Sequence, residues 1–379
     1  MDPSTVFCAT ETCPDKGRVG AGNIGIHSQK QRRYRCKTCG DTFSATTGTP
    51  YYRLHKEAWL MTAVLILLCH GCPPRAIVAA FGLDERTVGA WLRRAGGHCA
   101  ALHGHLVETG QVAAGQVQAD EIRVKVRGGA VWQAIALDVA SRLWLGGVVS
   151  PTRDGALVAR LLARVGACVA SRAILLCVDG FAAYVGAARA VFREPVYTGT
   201  PGRPRLRLPA GFLLAQVVKS RKGRRLAEVT RRVVVGTEEA VARVIAATRG
   251  GTQINTSYIE RLNATFRAHL APLARRGRAI AHGPALVESG LWLVGCAYNV
   301  CWAHESLRLR AIGGRKWQER TPAMAAGLTD HAWTIEEMLR YPVPPRERTP
   351  TRKPRRGRRR DQGLLPFPAR PAPPTGRAA

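Results

Sequence analysis

The pattern of apolar and polar residues changes along the chain and divides it into regions. Residues 1–50 are polar and rich in turn-forming residues. From Lys56 onward, apolar residues recur at intervals of three and four, which predicts an amphipathic helix. Its predicted buried face consists of Trp59, Leu60, Ala63, Val64 and Leu67. Residues 56–100 as a whole are predicted to be helical, whereas residues 115–310 alternate strand-like and helix-like runs, as in an α/β domain.

The helical region contains a pattern typical of a helix-turn-helix unit. Two prolines favour the start of a short helix that ends at Phe81, and Gly82 supplies a turn. Asp84 is a suitable N-cap for a second helix over residues 85–95. In such units the second helix enters the major groove of DNA, so three arginines are candidate contacts: Arg86, Arg93 and Arg94. The same pattern also fits an ordinary helical hairpin.

The α/β region opens with a strand in the run GQVQADEIRVKV, where apolar residues occupy every second position and Asp120 lies inside the strand. Two further strands form a hairpin that turns at residues 138–142, and a helix capped near Asp154 follows. The apolar run AILLCVDGF is typical of a central strand buried on both faces, and it ends at Asp179. Three strands, a helix and a central strand form the opening of a ribonuclease H-like fold.

Carboxylates at the ends of adjacent central strands can share divalent cations. Mg²⁺ and Mn²⁺ prefer carboxylate oxygens, and two such ions can activate a water and stabilise the leaving oxygen of a phosphodiester. Asp120 and Asp179 are the candidate ligands, and Glu260 on the predicted helix SYIERLNATFRAHL is the third. Asn263 and Arg267 share the helix face of Glu260 and are candidate DNA contacts.

These acids also have simpler interpretations. An Asp before a Gly commonly lies in a turn, and a lone Glu on a helix is commonly solvated, whereas an Asp inside a strand is unusual. Asp154 has its own role as a helix cap, and Asp138 lies in a predicted hairpin. Strand alternation predicts that Glu121 points to the face opposite that of Asp120.

Two close cysteine pairs near the N-terminus predict a structural zinc site. The chain has 11 cysteines, which a reducing cytosol would keep as thiols or metal ligands. The paired cysteines can place four thiolates at the corners of a tetrahedron, as in a zinc ribbon: Cys8, Cys13, Cys36 and Cys39. The second pair is followed directly by a glycine, a turn in which backbone amides reach the sulfurs. The alternative is four unrelated buried cysteines.

Charge points to a polyanionic partner. Lys and Arg total 57 against 26 Asp and Glu, a net charge of +31, of which residues 342–379 account for only +9. Phosphate contacts release counterions and drive such binding, although a genome rich in guanine and cytosine also inflates the arginine content. A basic β-hairpin is predicted near 211–236, with four candidate DNA contacts at its tip: Arg221, Lys222, Arg224 and Arg225.

The predicted fold class is therefore α/β, with a ribonuclease H-like catalytic core that follows a small zinc ribbon and an all-α helix-turn-helix domain. The predicted divisions are a zinc ribbon at 1–50, a helix-turn-helix domain at 56–100, the catalytic domain at 115–310, a C-terminal extension at 311–341 and a disordered Pro/Arg-rich basic tail at 342–379.

The order of RYRCKTCGDTF, the helix-turn-helix pattern, DEIRVKV, LLCVDGF and SYIERLNATFR resembles a bacterial insertion-sequence transposase of the DDE class, over roughly residues 8–340. The resemblance implies that Asp120, Asp179 and Glu260 bind catalytic Mg²⁺ or Mn²⁺ and that the four cysteines hold structural Zn²⁺. The implied reaction is hydrolysis at a transposon end followed by attack of the freed 3′-hydroxyl on target DNA. Double-stranded DNA and a homo-oligomeric assembly are the implied partners.

Two other functions fit the same residues. A zinc ribbon and a helix-turn-helix unit would suffice for a non-catalytic DNA-binding regulator, such as a domesticated or inactive transposase. A ribonuclease H-like nuclease would cut without joining. The N-terminus has no apolar run typical of a signal peptide, and the apolar stretch from Trp59 to Cys69 is about half the length of a membrane span. A cytoplasmic, nucleoid-associated protein is therefore expected.

Overall fold

The structure is a computed structural model that describes residues 1–345, apart from residues 198, 200–202, 224, 275–278 and 311–315 and the side chain of Arg221. The predictions for residues 346–379 and for Arg224 lie outside the described residues. No helix in the described part of the chain is both long and apolar enough to cross a membrane.

The N-terminal module is a small three-stranded antiparallel sheet with its own core. Its strands, in the order β1-β2-β3, are β1 (Ile24–Ser28), β2 (Arg33–Cys36) and β3 (Thr42–Ser44). Val6, Ile24 and Tyr34 are buried with Cys8, Cys13 and Cys36 in a cluster separate from the main core. Because so few apolar residues make only a small core, this module needs a further source of stability.

Three helices follow the module: α1 (Ala58–Cys69), α2 (Pro74–Phe81) and α3 (Glu85–Leu106). Gly82 ends α2 in the left-handed conformation with φ of 60°. Asp84 then caps α3, because its Oδ1 accepts the Arg86 N–H at 2.7 Å. The predicted order of short helix, turn and capped second helix is confirmed, but α3 continues 11 residues beyond the predicted end at 95.

The predicted buried face of α1 is wrong. Trp59 is 64% exposed, whereas Met61 and Leu65 are fully buried. Helix α1 carries apolar residues on every side, so the spacing of apolar positions cannot identify the face that packs inward.

The main sheet has six strands in the order β11-β10-β7-β4-β5-β6. The strands are β4 (Gln116–Val126), β5 (Gly129–Asp138), β6 (Trp144–Ser150), β7 (Leu175–Asp179), β10 (Leu213–Lys222) and β11 (Arg225–Val235). Strand β7 is parallel to both of its neighbours, β4 and β10, and the other pairs are antiparallel. The chain thus has a mixed α/β fold, as predicted.

Helices cover both faces of this sheet. The main ones are α4 (Gly155–Cys168), α5 (Ala183–Val191), α6 (Glu238–Ala247), α7 (Ser257–His269) and α8 (Pro284–Val300). The minor elements are β8 (Glu194–Val196), β9 (Arg205–Arg207), β12 (Leu309–Arg310), β13 (Trp317–Gln318), α9 (Pro322–Ala325) and α10 (Ile335–Arg340). Leu175 and Cys177 of β7 pack with α6, whereas Leu176 and Val178 point into the larger core on the other face.

One core includes residues of both the predicted helix-turn-helix domain and the predicted catalytic domain. The predicted boundary at residue 100 falls inside α3, whose later part packs against α8. The two helices touch so closely that a Cβ added at Gly96 would lie 2.5 Å from the Cα of Ser289. Only glycine fits at this crossing, so α3 and α8 are held together as one body.

Candidate metal centres and nucleic-acid interface

The four predicted cysteines lie together in the N-terminal module. Their sulfur atoms are all within 4.8 Å of one another, with Cys8 3.6 Å from Cys39 and Cys13 3.8 Å from Cys36. Tetrahedral zinc with sulfur at about 2.3 Å requires sulfurs about 3.8 Å apart. The cluster can therefore hold a zinc ion, and it fits a zinc ribbon.

The turn after Cys36 favours a thiolate. Gly40 adopts a left-handed φ of 80° and donates its N–H to the Cys36 carbonyl at 2.9 Å. Burial opposes ionisation of Cys36, but the backbone N–H groups of Cys39 and Thr38 bring the pKa of its thiol down to about 7. Thiolates are the form that binds zinc, so the donor set suits this metal.

The acidic cluster lies where β4 and β7 run side by side. Their parallel register pairs Val117 with Leu176 and Gln118 with Cys177, which brings Asp120 level with Asp179 two residues later. One carboxylate oxygen from each of Asp120, Glu121 and Asp179 lies within 4.8 Å of the others. The predicted approach of the two aspartates is confirmed, and oxygen donors at this spacing suit a hard divalent cation.

Asp120 is held firmly and carries an unfavourable charge. Its Oδ1 accepts the Glu121 N–H at 2.8 Å, and its Oδ2 accepts from the Asn263 side chain at 2.7 Å. Burial raises the pKa of Asp120 to about 6, and the nearby acids Glu121, Asp179 and Glu260 act in the same direction. A bound cation would relieve this crowding of negative charge.

Glu121 belongs to the cluster, so the prediction that it points away is wrong. Alternation does place its side chain on the α5 face, where the Tyr184 hydroxyl donates to Oε1. However, the pairing between β4 and β7 ends at Gln118 and Cys177, so carboxylates from both faces of β4 can approach Asp179 beyond it. Arg153 donates to Glu121 at 2.8 Å and to Asp179 at 3.1 Å.

Helix α7 is fixed to the sheet by Gln118, a residue that the sequence analysis missed. The buried Gln118 Oε1 accepts the N–H groups of Tyr258 and Ile259, both at 3.0 Å. It thereby caps the first turn of α7, where Thr256 makes no side-chain cap. Gln118 lies two residues from Asp120, and a buried polar residue on the face of a catalytic carboxylate is the signal that could have identified it.

Glu260 lies on the first turn of α7, and its Oε1 accepts from Lys219 at 2.5 Å and from Thr256 at 3.0 Å. It lines the same open polar cleft as Asp120 and Asp179, together with Arg153 and Lys219. Among the described residues, Glu260 is outside the tight group of three carboxylates. The cleft continues past Glu260 towards Asn263 and Arg267.

The predicted DNA contacts differ in accessibility. Arg86 and Arg93 are exposed on α3, and Lys222 and Arg225 are exposed at the tip of the β10–β11 hairpin. Arg94 is half-buried and donates to the Tyr52 carbonyl, so it holds the segment before α1. Asn263 is buried and its amide serves Asp120. Internal hydrogen bonds therefore engage these last two side chains, because one face of each helix packs inward.

Arg267 contacts other groups within the chain and lines the cleft. Arg224 and the side chain of Arg221 lie outside the described residues. The predicted basic hairpin itself is present, since β10 and β11 pair from Leu214 and Val235 to Lys222 and Arg225.

Comparison with known proteins adds no relative. No model of a known protein family matches the sequence, and no curated protein is similar to it. The function must therefore be argued from the sites themselves.

Proposed function

We propose that this protein is a DNA transposase that cuts and joins phosphodiester bonds with the help of divalent cations bound in the acidic cleft. One observation carries the proposal: Asp120, Asp179 and Glu260 come from two parallel strands and a helix, far apart in sequence, and line a single open cleft. Carboxylates brought together at such a position in an α/β sheet are typical of a reactive site rather than of a structural one.

Strand order supports a ribonuclease H-like core. Strands β4, β5 and β6 follow one another as an antiparallel meander, and β7 then returns parallel to β4 after the helix α4. Strand β10 adds a second parallel neighbour beyond β7, and β11 extends the edge. The predicted acids lie in β4, at the end of β7 and on α7, in the order that the resemblance to DDE transposases implies.

The residues of the cleft have distinct roles in this proposal. Asp120 and Asp179 hold the cations, with Glu260 closing the opposite wall, and Asn263 fixes the orientation of Asp120. Bound there, Mg²⁺ or Mn²⁺ would supply Lewis acidity to water and to the leaving oxygen. Lys219 places an ammonium group at the wall of the cleft, where it favours an incoming phosphate.

DNA binding in this proposal uses three surfaces. The exposed Arg86 and Arg93 of α3 face the major groove, and the β10–β11 hairpin lays Lys222 and Arg225 along the phosphate backbone. The zinc-binding module, which carries exposed Arg35 and Lys37, adds a third basic surface. Pairing of two transposon ends would require a homo-oligomer.

The test is cutting and joining of labelled duplex DNA that carries the sequences flanking the gene, with Mg²⁺ or Mn²⁺. The unsubstituted protein should produce both products, and Asp179→Asn should lower the rate at least ~100-fold, since loss of even an outer-sphere partner costs about 10–100-fold. Glu288→Gln, which removes one exposed carboxylate from α8, is the matched control and should be fully active.

Three other outcomes would replace the proposal. Full activity of Asp179→Asn would remove this residue from the chemistry. Cutting without joining would favour a nuclease. Tight DNA binding that is equal with and without divalent cation, with no cutting, would favour a regulator that uses only the cysteine module and helices α2 and α3.

A further inference from the structure

The buried carboxylate of Glu121 has all its partners within the protein. Its side chain is fully inaccessible, Oε1 accepts from the Tyr184 hydroxyl, and Oε2 accepts from Arg153 Nε at 3.0 Å and from Arg153 Nη2 at 2.8 Å. A carboxylate with both oxygens engaged has little capacity left to bind a metal ion. Glu121 therefore differs from Asp120 and Asp179, which line the cleft.

Arg153 is shared between two acids. The same Nη2 atom that binds Glu121 also donates to Asp179 Oδ2 at 3.1 Å. The guanidinium lies 4.3 Å from the Phe181 ring and 5.3 Å from the Trp132 ring, and these contacts limit its movement. A cation fixed at this point competes with a divalent ion for the charge of Asp179.

We propose that Glu121 is a positioning residue that holds Arg153 back from Asp179 and thereby leaves the charge of Asp179 available to a divalent cation. Glu121 neutralises most of the guanidinium charge through its two-pronged contact, whereas Asp179 receives a single, longer one. The inference rests on cation binding in the proposed cleft but does not depend on the reaction carried out there.

Two substitutions should then act in opposite directions. In Glu121→Gln, Arg153 loses its counter-ion and pairs fully with Asp179, so cation binding weakens. In Arg153→Gln, the competing charge is gone, so cation binding stays equal or becomes tighter. If Glu121 were instead a metal ligand, its loss would weaken binding whether or not Arg153 were present.

The experiment is titration of Mn²⁺ into the full, zinc-loaded chain, followed by calorimetry and by the electron paramagnetic resonance signal of free Mn²⁺. Thiolate sites disfavour Mn²⁺, so the cysteine module does not interfere. We expect Kd to rise about 10–100-fold in Glu121→Gln. The double variant Glu121→Gln/Arg153→Gln should recover a Kd close to that of Arg153→Gln.

A double variant that binds as weakly as Glu121→Gln would overturn the inference and make Glu121 a ligand. If Glu121→Gln does not fold, Arg153→Gln alone decides, because weaker Mn²⁺ binding by that variant contradicts a competing role for Arg153. Mn²⁺ binding without DNA cleavage would count against the proposed function only. Cleavage with no recovery in the double variant would count against this inference only.

Discussion

The two candidate metal centres of this chain are built in opposite ways. In the cysteine module, all four ligands come from within 32 residues of sequence, three of them are buried, and they share a core of few apolar residues. In the acidic cleft, the carboxylates come from residues 140 positions apart on strands and a helix of the main body, and the cleft is open. A closed centre stabilises a fold, whereas an open one leaves room for a substrate.

The surrounding charges differ in the same sense. Backbone N–H groups favour the thiolate of Cys36, and no basic side chain is needed. The acidic cleft instead balances its carboxylates with Arg153 and Lys219, two cations that an incoming metal ion or phosphate could displace. The first centre is complete once a metal binds, and the second is arranged for exchange.

Loss of one cysteine should give the largest effect and would break the comparison if it did not. We expect Cys36→Ser to abolish zinc binding and unfold residues 1–50, because structural zinc contributes an apparent ~10–16 kcal/mol to modules of this kind. Zinc content and limited proteolysis measure the result. Since the main body has its own core, its Mn²⁺ titration should be unchanged.

Cys72→Ser is the control for this prediction, since Cys72 is a partly exposed thiol outside the cluster. Normal zinc content in Cys36→Ser, or equal loss in both variants, would show that the four sulfurs do not act as one structural centre.

A substitution in the acidic region should cost less, and through geometry rather than through a ligand. Gln118→Ala leaves the Tyr258 and Ile259 N–H groups at the start of α7 without their acceptor, which should lower the free energy of unfolding by about 1–3 kcal/mol. Because Glu260 lies on that turn, Mn²⁺ binding should weaken as well. Urea denaturation and Mn²⁺ titration measure the two effects.

Gln133→Ala provides the matched control. Gln133 is also a fully buried glutamine in the same sheet, but its amide has no hydrogen-bond partner among the described residues. Its loss should leave Mn²⁺ binding unchanged. Equal Mn²⁺ affinities for Gln118→Ala and the unsubstituted protein would mean that the cap does not position Glu260.

The smallest effect is expected at the hairpin tip. Lys222→Ala with Arg225→Ala should weaken DNA binding modestly and reduce the slope of log K against log salt by about 2, roughly one for each phosphate that a removed side chain had neutralised. Neither metal centre should change. Fluorescence anisotropy at several salt concentrations measures the slope, and an unchanged slope would place the DNA elsewhere.

Sequence alone identified the ligands whose signal is local. The two cysteine pairs are visible as spacing, and Asp120 and Asp179 are visible because each interrupts or ends a strand pattern. Residues that act across the fold were missed. The role of Gln118 depends on α7 packing over β4, and the partners of Glu121 come from α5 and from Arg153, about 30 to 60 residues away. No periodicity in β4 contains that information.

Helix α1 shows the other limit. Its apolar residues surround the whole helix, so the pattern predicts a helix correctly but gives the wrong buried face, and Trp59 is exposed. The boundary at residue 100 failed for a related reason, since the later part of α3 is as apolar as a core helix and packs with α8. Tertiary contacts decide such cases.

The close crossing at Gly96 makes α3 a fixed ruler. The helix spans 22 residues, about 33 Å, which is close to one turn of duplex DNA. Its first part carries Arg86 and Arg93, and its later part is joined to the body that contains the cleft. With no joint along that length, the number of base pairs between the sequence that is read and the bond that is cut becomes a constant of the protein. Insertion of half a helical turn between them would present the wrong face of the DNA to the cleft.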